Sequence, residues 1–256
     1  GLIYWLACRK KVATRQLQKL AIGIAGGSSL LAILLFRSIA KCDSEFVSNA
    51  AIQFLQNNYE AFAVGEYLYR YPFQIGVTAL LELIYGIFGV QNYIVFELIN
   101  LVCIVDIVRM LGKISEDLFG EETARIEIVM SMGLLPLFLL STFVYGDYIG
   151  LFFGIHAIAA VICFLKENKW QKILQASFWF AGGVAIKNNI NVLVIAAIIV
   201  LILYAFVNHK YWVLIWTGEL GVMSRMGLDI IMWIYELRMG QPVPDGIPKI
   251  AWITMS

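Results

Sequence analysis

Ionisable residues are scarce in this chain, and several of them stand where apolar runs break off. Asp43 and Glu45 end the run in "AILLFRSIAKCDSEF", and Arg70, Tyr71 and Gln74 flank Pro72. Asp147 sits in "FVYGDYIG" and Lys187 in "AIKNNINV", beside Asn188, Asn189 and Asn191. Polar groups at membrane depth are costly and mark sites or pathways. The carboxylates could serve as a general base or as ligands for a divalent cation. The basic residues could clamp a phosphate, since Lys and Arg are the usual partners of phosphoryl oxygens. Each position also has a plainer reading. Asp147 could be turn chemistry and an N-cap, Lys187 could snorkel, Arg70 could anchor an interface, and Asp43 could cap a helix beginning at Ser44. Convergence favours function, because separate loops put ionisable groups on one face.

The elements that must position these residues are membrane helices. The chain has 256 residues, 61% hydrophobic and 14% charged, with a mean hydropathy of +0.79. Soluble domains carry about 25% charged residues, so the composition predicts an all-α, polytopic transmembrane helix bundle. Nucleic acid is not expected as a partner, because no basic face exists and the Lys and Arg residues punctuate the apolar runs. The net charge of +1 says nothing about partners, since the charges are segregated by loop. Cys8, Cys42, Cys103 and Cys163 form no C-x-x-C pair, so neither a disulfide nor a zinc framework is expected. Spans are predicted at 1–8 (partial), 19–40, 92–112, 126–146, 148–165, 172–187, 189–207 and 211–235. With "GLIYWLAC" at one end and a loop beginning at 236–256 at the other, the chain reads as one transmembrane domain truncated at both ends.

Orientation follows from Lys and Arg in short loops. "CRKKVATRQLQK", "VRMLGKISEDLFGEETARIE", "KENKWQK" and "NHKYW" are the expected cytoplasmic loops. They alternate correctly only if residues 41–91 form one long outside loop, which puts Asp43, the Tyr145–Tyr148 turn and Lys187 outside. Within that loop, 71–90 is expected as an interfacial helix introduced by Pro72. Residues 44–58 are expected to share a face of Val47, Ala51, Phe54, Leu55 and Asn58. Gly23 and Gly27 make a G-x-x-x-G that reads as close helix packing, Asp106 and Arg109 as a one-turn ion pair, and His156 as a bundle-bonded side chain. Glu97 and Asn100 lie in the outer half of their span; Glu97 could reach the site but is set aside as a site residue. No Walker loop, H-E-x-x-H or G-x-S-x-G occurs.

The order of these motifs resembles the C-type glycosyltransferases, integral membrane enzymes that use polyprenyl-phosphate sugars. It is most similar to bacterial relatives of the protein O-mannosyltransferases and of the lipid A aminoarabinose transferase. The carrying features are the acid after an in-to-out span (CDSE), YPFQ at 71–74, Phe88-Gly89, the Asp of VYGD and the Lys of AIKNN. The resemblance implies sugar transfer from a polyprenyl-phosphate donor to a glycan, lipid or protein acceptor at the outer face of a bacterial plasma membrane, with inversion. It implies Asp43 as catalytic base, and Arg70 and Lys187 on the donor phosphate. Asp147, Glu45, Gln74 and Tyr71 would orient the acceptor or the site, with membrane lipid around the prenyl chain. The pattern departs from the family in that Ser44 follows Asp43 where an adjacent acid would stand. It departs also in that at least one span precedes the basic cytoplasmic loop, whereas in the simplest members the acid follows the first span. The rival expectation is a transporter or flippase for a lipid-linked or anionic solute. Such proteins put charges near mid-membrane in repeated halves, whereas no repeat is found here and the charges crowd at the edge.

Overall fold

A computed structural model of the chain describes residues 12–36 and 39–246. The partial span expected at 1–8, the basic residues Arg9, Lys10 and Lys11, and residues 247–256 of the final loop lie outside the described residues. In chain order the described helices are α1 (Thr14–Leu35), α2 (Asp43–Leu55), α3 (Tyr67–Arg70), α4 (Ile75–Phe88), α5 (Tyr93–Phe119), α6 (Glu121–Ser131), α7 (Leu135–Leu139), α8 (Asp147–Glu167), α9 (Trp170–Ile186), α10 (Asn191–Val207) and α11 (Val213–Met239), joined by loops and short 3-10 turns. No strand occurs among the described residues, as the all-α expectation requires. Among the described residues three stretches are long and apolar enough to cross a membrane: α1, α8, and Asn188–Val207, which is α10 with its leading 3-10 turn. Contacts group the chain into two units, Gly1–Ile39 with Tyr93–Val144, and Ala40–Asn92 with Tyr145–Ser256.

In the first unit α1 packs against α5, α6 and α7. Its buried stripe runs from Leu17 through Ala21, Ala25, Ser29 and Ala32, and the alanines and serine are small residues that let helix backbones approach. Gly23 and Gly27 are off this stripe, and a Cβ at either would meet nothing. The expected packing motif is therefore carried by the alanines rather than the glycines. The span expected at 126–146 is broken: α6 and the stretch Leu135–Thr142 bend by 57° about residues 132–134. Pro136 in the first turn of α7 explains this, because proline disfavours helical backbone in the preceding residue and cannot donate to the ladder. Irregular backbone at membrane depth must be satisfied by protein. Asn100 of α5 does this, donating to the carbonyls of Ser141 and Phe143 at 2.9 Å each. Asp106 and Arg109 pair as expected, at 2.6 Å. Glu97 is buried in this same unit.

The second unit is built around α9, which packs against α8 on one side and α11 on another, with α4 against both α9 and α11. Its core includes Phe54, Leu68, Ile75, Phe164, Ile173, Phe180 and Leu201. Two glycines set the closest approaches. A Cβ on Gly76 of α4 would strike the carbonyl of Ala185, and one on Gly227 of α11 would strike that of Ala181. α4 has 14 residues and so is about 21 Å long, short of the ~30 Å apolar core of a bilayer. The α2 face differs from expectation. Val47, Ala51 and Phe54 are buried, but Ser44, Ser48 and Ala50 join them, while the helix ends at Leu55, itself 36% exposed. Ser48 explains the shift, because its hydroxyl bonds Tyr85 of α4 at 2.8 Å. Arg238 ties the end of α11 to both neighbours, pairing with Glu82 at 2.8 Å and donating to the Phe54 carbonyl at 3.1 Å. His156 stacks on Trp179, with ring centroids 4.7 Å apart.

Candidate active site

Asp43 opens α2 after a sharp turn. Cys42 holds φ at 53°, a region that favours glycine. Ser44 fastens the turn, its hydroxyl donating to the Lys41 carbonyl at 2.8 Å and accepting from the Lys41 N–H at 3.0 Å. Asp43 does not cap the helix: it is the first helical residue, and no side-chain cap bond forms. Its carboxylate instead accepts a hydrogen bond from the Tyr145 hydroxyl at 3.2 Å.

Tyr145 is the centre of the site. Gln74 donates its amide to the Tyr145 oxygen at 2.6 Å, and the Tyr67 hydroxyl lies 2.8 Å away. A phenol has one proton and two acceptor positions. With the Tyr145 proton directed at Asp43, its two acceptor positions take the Gln74 amide and the Tyr67 proton. The O–H chain therefore runs from Tyr67 through Tyr145 to the Asp43 carboxylate. Burial, with the Asp43 charge adding, pushes the Tyr67 phenol up from 10.0 to about 12 against the opposing effect of its bond to Tyr145. Burial pushes Tyr145 up further, helped by Tyr67 and Asp43. Both stay protonated, and hence donors, throughout the ordinary pH range.

The other side of Tyr145 is cationic. Lys187 follows the end of α9 in extended conformation and lays its ammonium over the Tyr145 ring, 3.7 Å from the centroid. The same ammonium pairs with Asp147 at 2.9 Å. Lys187 is 9% exposed and Asp147 44%, so neither the snorkelling nor the plain turn reading describes this pair. A cation this deeply buried is held by its partners. Gly146 makes the arrangement fit. At φ 80° it turns the chain between Tyr145 and Asp147, and a Cβ there would press on Ile186 and Val77.

Beside this network lies a cavity of about 390 Å³ lined by Asp43, Phe46, Gly65, Glu66, Tyr67, Arg70 and Tyr71. The rings of Phe46 and Tyr67 stack at 5.1 Å, and the Tyr71 ring lies tilted against Tyr67, also at 5.1 Å. Arg70 is exposed, and among the described residues its guanidinium has no ion-pair partner. Of the expected site residues, Asp43, Gln74, Asp147 and Lys187 are thus joined through Tyr145, and Arg70 and Tyr71 share the Asp43 cavity. Glu45 is exposed on α2 and joins neither group. Sequence reasoning passed over Tyr145, Tyr67, Glu66 and Phe46 as site residues. The available signal for Tyr145 was its place in a Tyr-Gly-Asp turn. Among the described residues no three His, Cys, Asp or Glu side chains gather as a cation site would require, and Asp147 already holds Lys187.

No curated protein and no solved structure matches the chain. Residues 74–226 match the family model described as dolichyl-phosphate-mannose-protein mannosyltransferase. That stretch is well over half of the 256 residues. It contains Gln74, Tyr145, Asp147 and Lys187, while Asp43 and Arg70 precede it. The match and the apolar helices agree on an integral membrane glycosyltransferase, and the chain belongs to the dolichyl-phosphate-mannose-protein mannosyltransferase family.

Proposed function

We propose that the second unit transfers a sugar from a polyprenyl-phosphate donor to an acceptor hydroxyl at the outer membrane–water interface, in one inverting displacement. The observation that carries this is the cavity in which the Asp43 carboxylate and the unpaired Arg70 guanidinium meet against stacked aromatic rings. Asp43 takes the acceptor proton as the acceptor oxygen bonds to the anomeric carbon. The bond from that carbon to the phosphate oxygen breaks on the opposite face, and its electron pair leaves with the lipid phosphate. Arg70 neutralises the charge gathering on the leaving phosphate, the electrostatic form of catalysis. The rings of Phe46, Tyr67 and Tyr71 suit the C–H faces of a sugar.

Tyr145 is a positioning residue: its O–H fixes the Asp43 carboxylate, and Gln74 and Tyr67 fix Tyr145. Lys187 reaches a donor phosphate only by leaving Asp147. While the pair is closed, it holds the Tyr145 ring from behind. The side chains gathered here, among the described residues, do not make a ligand set for a divalent cation.

The test uses the full chain in membranes supplied with labelled polyprenyl-phosphate sugars, a mannosyl and an aminoarabinosyl donor among them. Sugar release is compared between wild type and Asp43→Asn at matched expression. Loss of a general base costs about 10²- to 10⁴-fold. Equal discharge by both proteins would remove Asp43 from the chemistry.

A further inference from the structure

The first unit has a cavity of its own, about 640 Å³, at the end of the bundle where α1 begins and α5 ends. α1 contributes Arg15 and Lys19, α5 contributes Arg109 and Lys113, and the acids on the lining are Glu116 and Glu121. Four cations thus face two carboxylates, and one of those carboxylates is already occupied. Glu121 accepts from the Thr14 hydroxyl at 2.6 Å and from Arg125 at 2.7 Å. Arg109 is matched by Asp106. Among the described residues Arg15, Lys19 and Lys113 have no ion-pair partner.

The frame beneath these cations is fixed. Arg125 also donates to the Thr14 hydroxyl at 3.0 Å, and Gln18 donates to the Val108 carbonyl at 3.3 Å, so α1, α5 and α6 are tied at this end. Depth identifies the compartment. α1 has 22 residues and so is about 33 Å long, close to the ~30 Å apolar core of a bilayer. Its first turn, with Thr14 and Arg15, therefore lies at headgroup level, while Ile22 closes the cavity on the apolar side. A single ion would leave most of the space empty, whereas the volume falls within the range of sites for small organic molecules.

We propose that this cavity binds the phosphodiester headgroup of an anionic phospholipid, with Lys19, Lys113 and Arg15 on the phosphate and the glycerol end against Ile22. Basic pockets between membrane helices are suited to such headgroups. Nothing in this depends on the transferase chemistry of the second unit.

The test is lipid retention by the full chain, purified in detergent and read by native mass spectrometry. The protein is supplied with phosphatidylglycerol and phosphatidylcholine of matched acyl chains, with and without inorganic phosphate. Each cation near the phosphate is worth about fivefold in affinity, so Lys19→Ala/Lys113→Ala should hold phosphatidylglycerol about 25-fold less tightly. Lys19→Arg/Lys113→Arg, which keeps the charge, should retain it. Lys169→Ala/Lys172→Ala removes as many cations from the second unit and should leave binding unchanged. Equal retention by wild type and the Lys19/Lys113 alanine variant overturns the proposal. So does an equal loss in the Lys169/Lys172 variant, which would mean diffuse charge rather than a site. Displacement of the lipid by millimolar inorganic phosphate would make free phosphate the ligand and overturn the lipid assignment. Loss of phosphatidylcholine in parallel would show misfolding, and the arginine variant then decides: if it too fails to hold phosphatidylglycerol, the cavity is not the site.

Discussion

Replacing Tyr145 with phenylalanine is the most informative perturbation, because it removes one oxygen and leaves the ring under Lys187 in place. That oxygen takes part in three hydrogen bonds, to Asp43, Gln74 and Tyr67. Two consequences can be separated. For stability, the Gln74 amide is 6% exposed and loses its acceptor; a buried donor left unsatisfied costs about 1–3 kcal/mol. Tyr67 is only half-buried and can turn towards water, so the total should be about 2 kcal/mol. For activity, Asp43 loses a hydrogen bond to a charged group, worth about 1.5–3 kcal/mol. If that bond acts in the transition state, kcat falls about 10- to 150-fold with little change in donor KM. The assay is discharge of labelled donor by the full chain, with thermal unfolding measured on the same preparations. Adding Gln74→Leu removes the stranded amide and should restore most of the stability while leaving kcat low. In an Asp43→Asn background the tyrosine substitution should cost little more, since residues that act as a unit are strongly non-additive. Wild-type kcat in Tyr145→Phe would refute the positioning role. So would a full additional loss in the Asp43→Asn background, because the two residues would then act independently.

Other consequences follow from the same geometry. Arg70→Ala should raise donor KM and lower kcat/KM by at least tenfold, with unfolding unchanged because Arg70 is exposed, and Arg70→Lys should recover part of it; steady-state kinetics on the lipid donor decide. Asp147→Asn leaves Lys187 buried without its counter-ion, which should destabilise the unit by about 3 kcal/mol, the low end for a broken buried pair, since water reaches the half-exposed Asp147 side. Thermal unfolding measures this, and a loss below 1 kcal/mol would show that Lys187 finds another partner. Gly76→Ala drives a methyl into the Ala185 carbonyl and should abolish the folded yield, whereas Gly23→Ala, whose methyl meets open space, should be silent; size-exclusion profiles of matched expressions test the pair. Stability should also fall with alkali. The folded Tyr67 phenol titrates at about 12 against 10.0, so its contribution is intact below pH 10 and is lost as pH rises from 10 to 12. Tyr67→Phe should flatten that part of the melting-temperature profile.

What could be read from the residues was decided by contrast. Asp43, Asp147 and Lys187 are conspicuous because charged groups interrupt apolar runs, and Gln74 because it stands beside a proline that starts a helix. Tyr145 has no such contrast. Tyrosines are common at span edges as interface anchors, and its partners Gln74 and Asp43 are 71 and 102 residues away. Only folding reveals a phenol that collects a carboxylate, an amide, a second phenol and an ammonium. The α2 face was misjudged at Leu55 and Asn58 for a related reason. Hydropathy weights large apolar residues, whereas close packing of α2 on α4 selects Ser44, Ser48 and Ala50. The bend at residues 132–134 was legible in Pro136, but averaging hydropathy over a window conceals one residue that breaks a helix.

The two cations implied for the donor phosphate end up in different physical situations, and this constrains how they can act. Arg70 is exposed, unpaired and on the cavity, so a phosphate can approach it without first displacing a partner. Lys187 is 9% exposed and already matched by Asp147. A phosphate reaching Lys187 must either break that pair or bring a second negative charge beside Asp147. Substitution separates the roles. Lys187→Met removes the ammonium from over the Tyr145 ring and leaves Asp147 half-exposed to water, so it should cost little stability. If Lys187 only holds Tyr145, kcat falls about as far as in Tyr145→Phe and donor KM is unchanged. If donor KM rises as it does in Arg70→Ala, the Asp147 pair opens during turnover and Lys187 meets the phosphate directly.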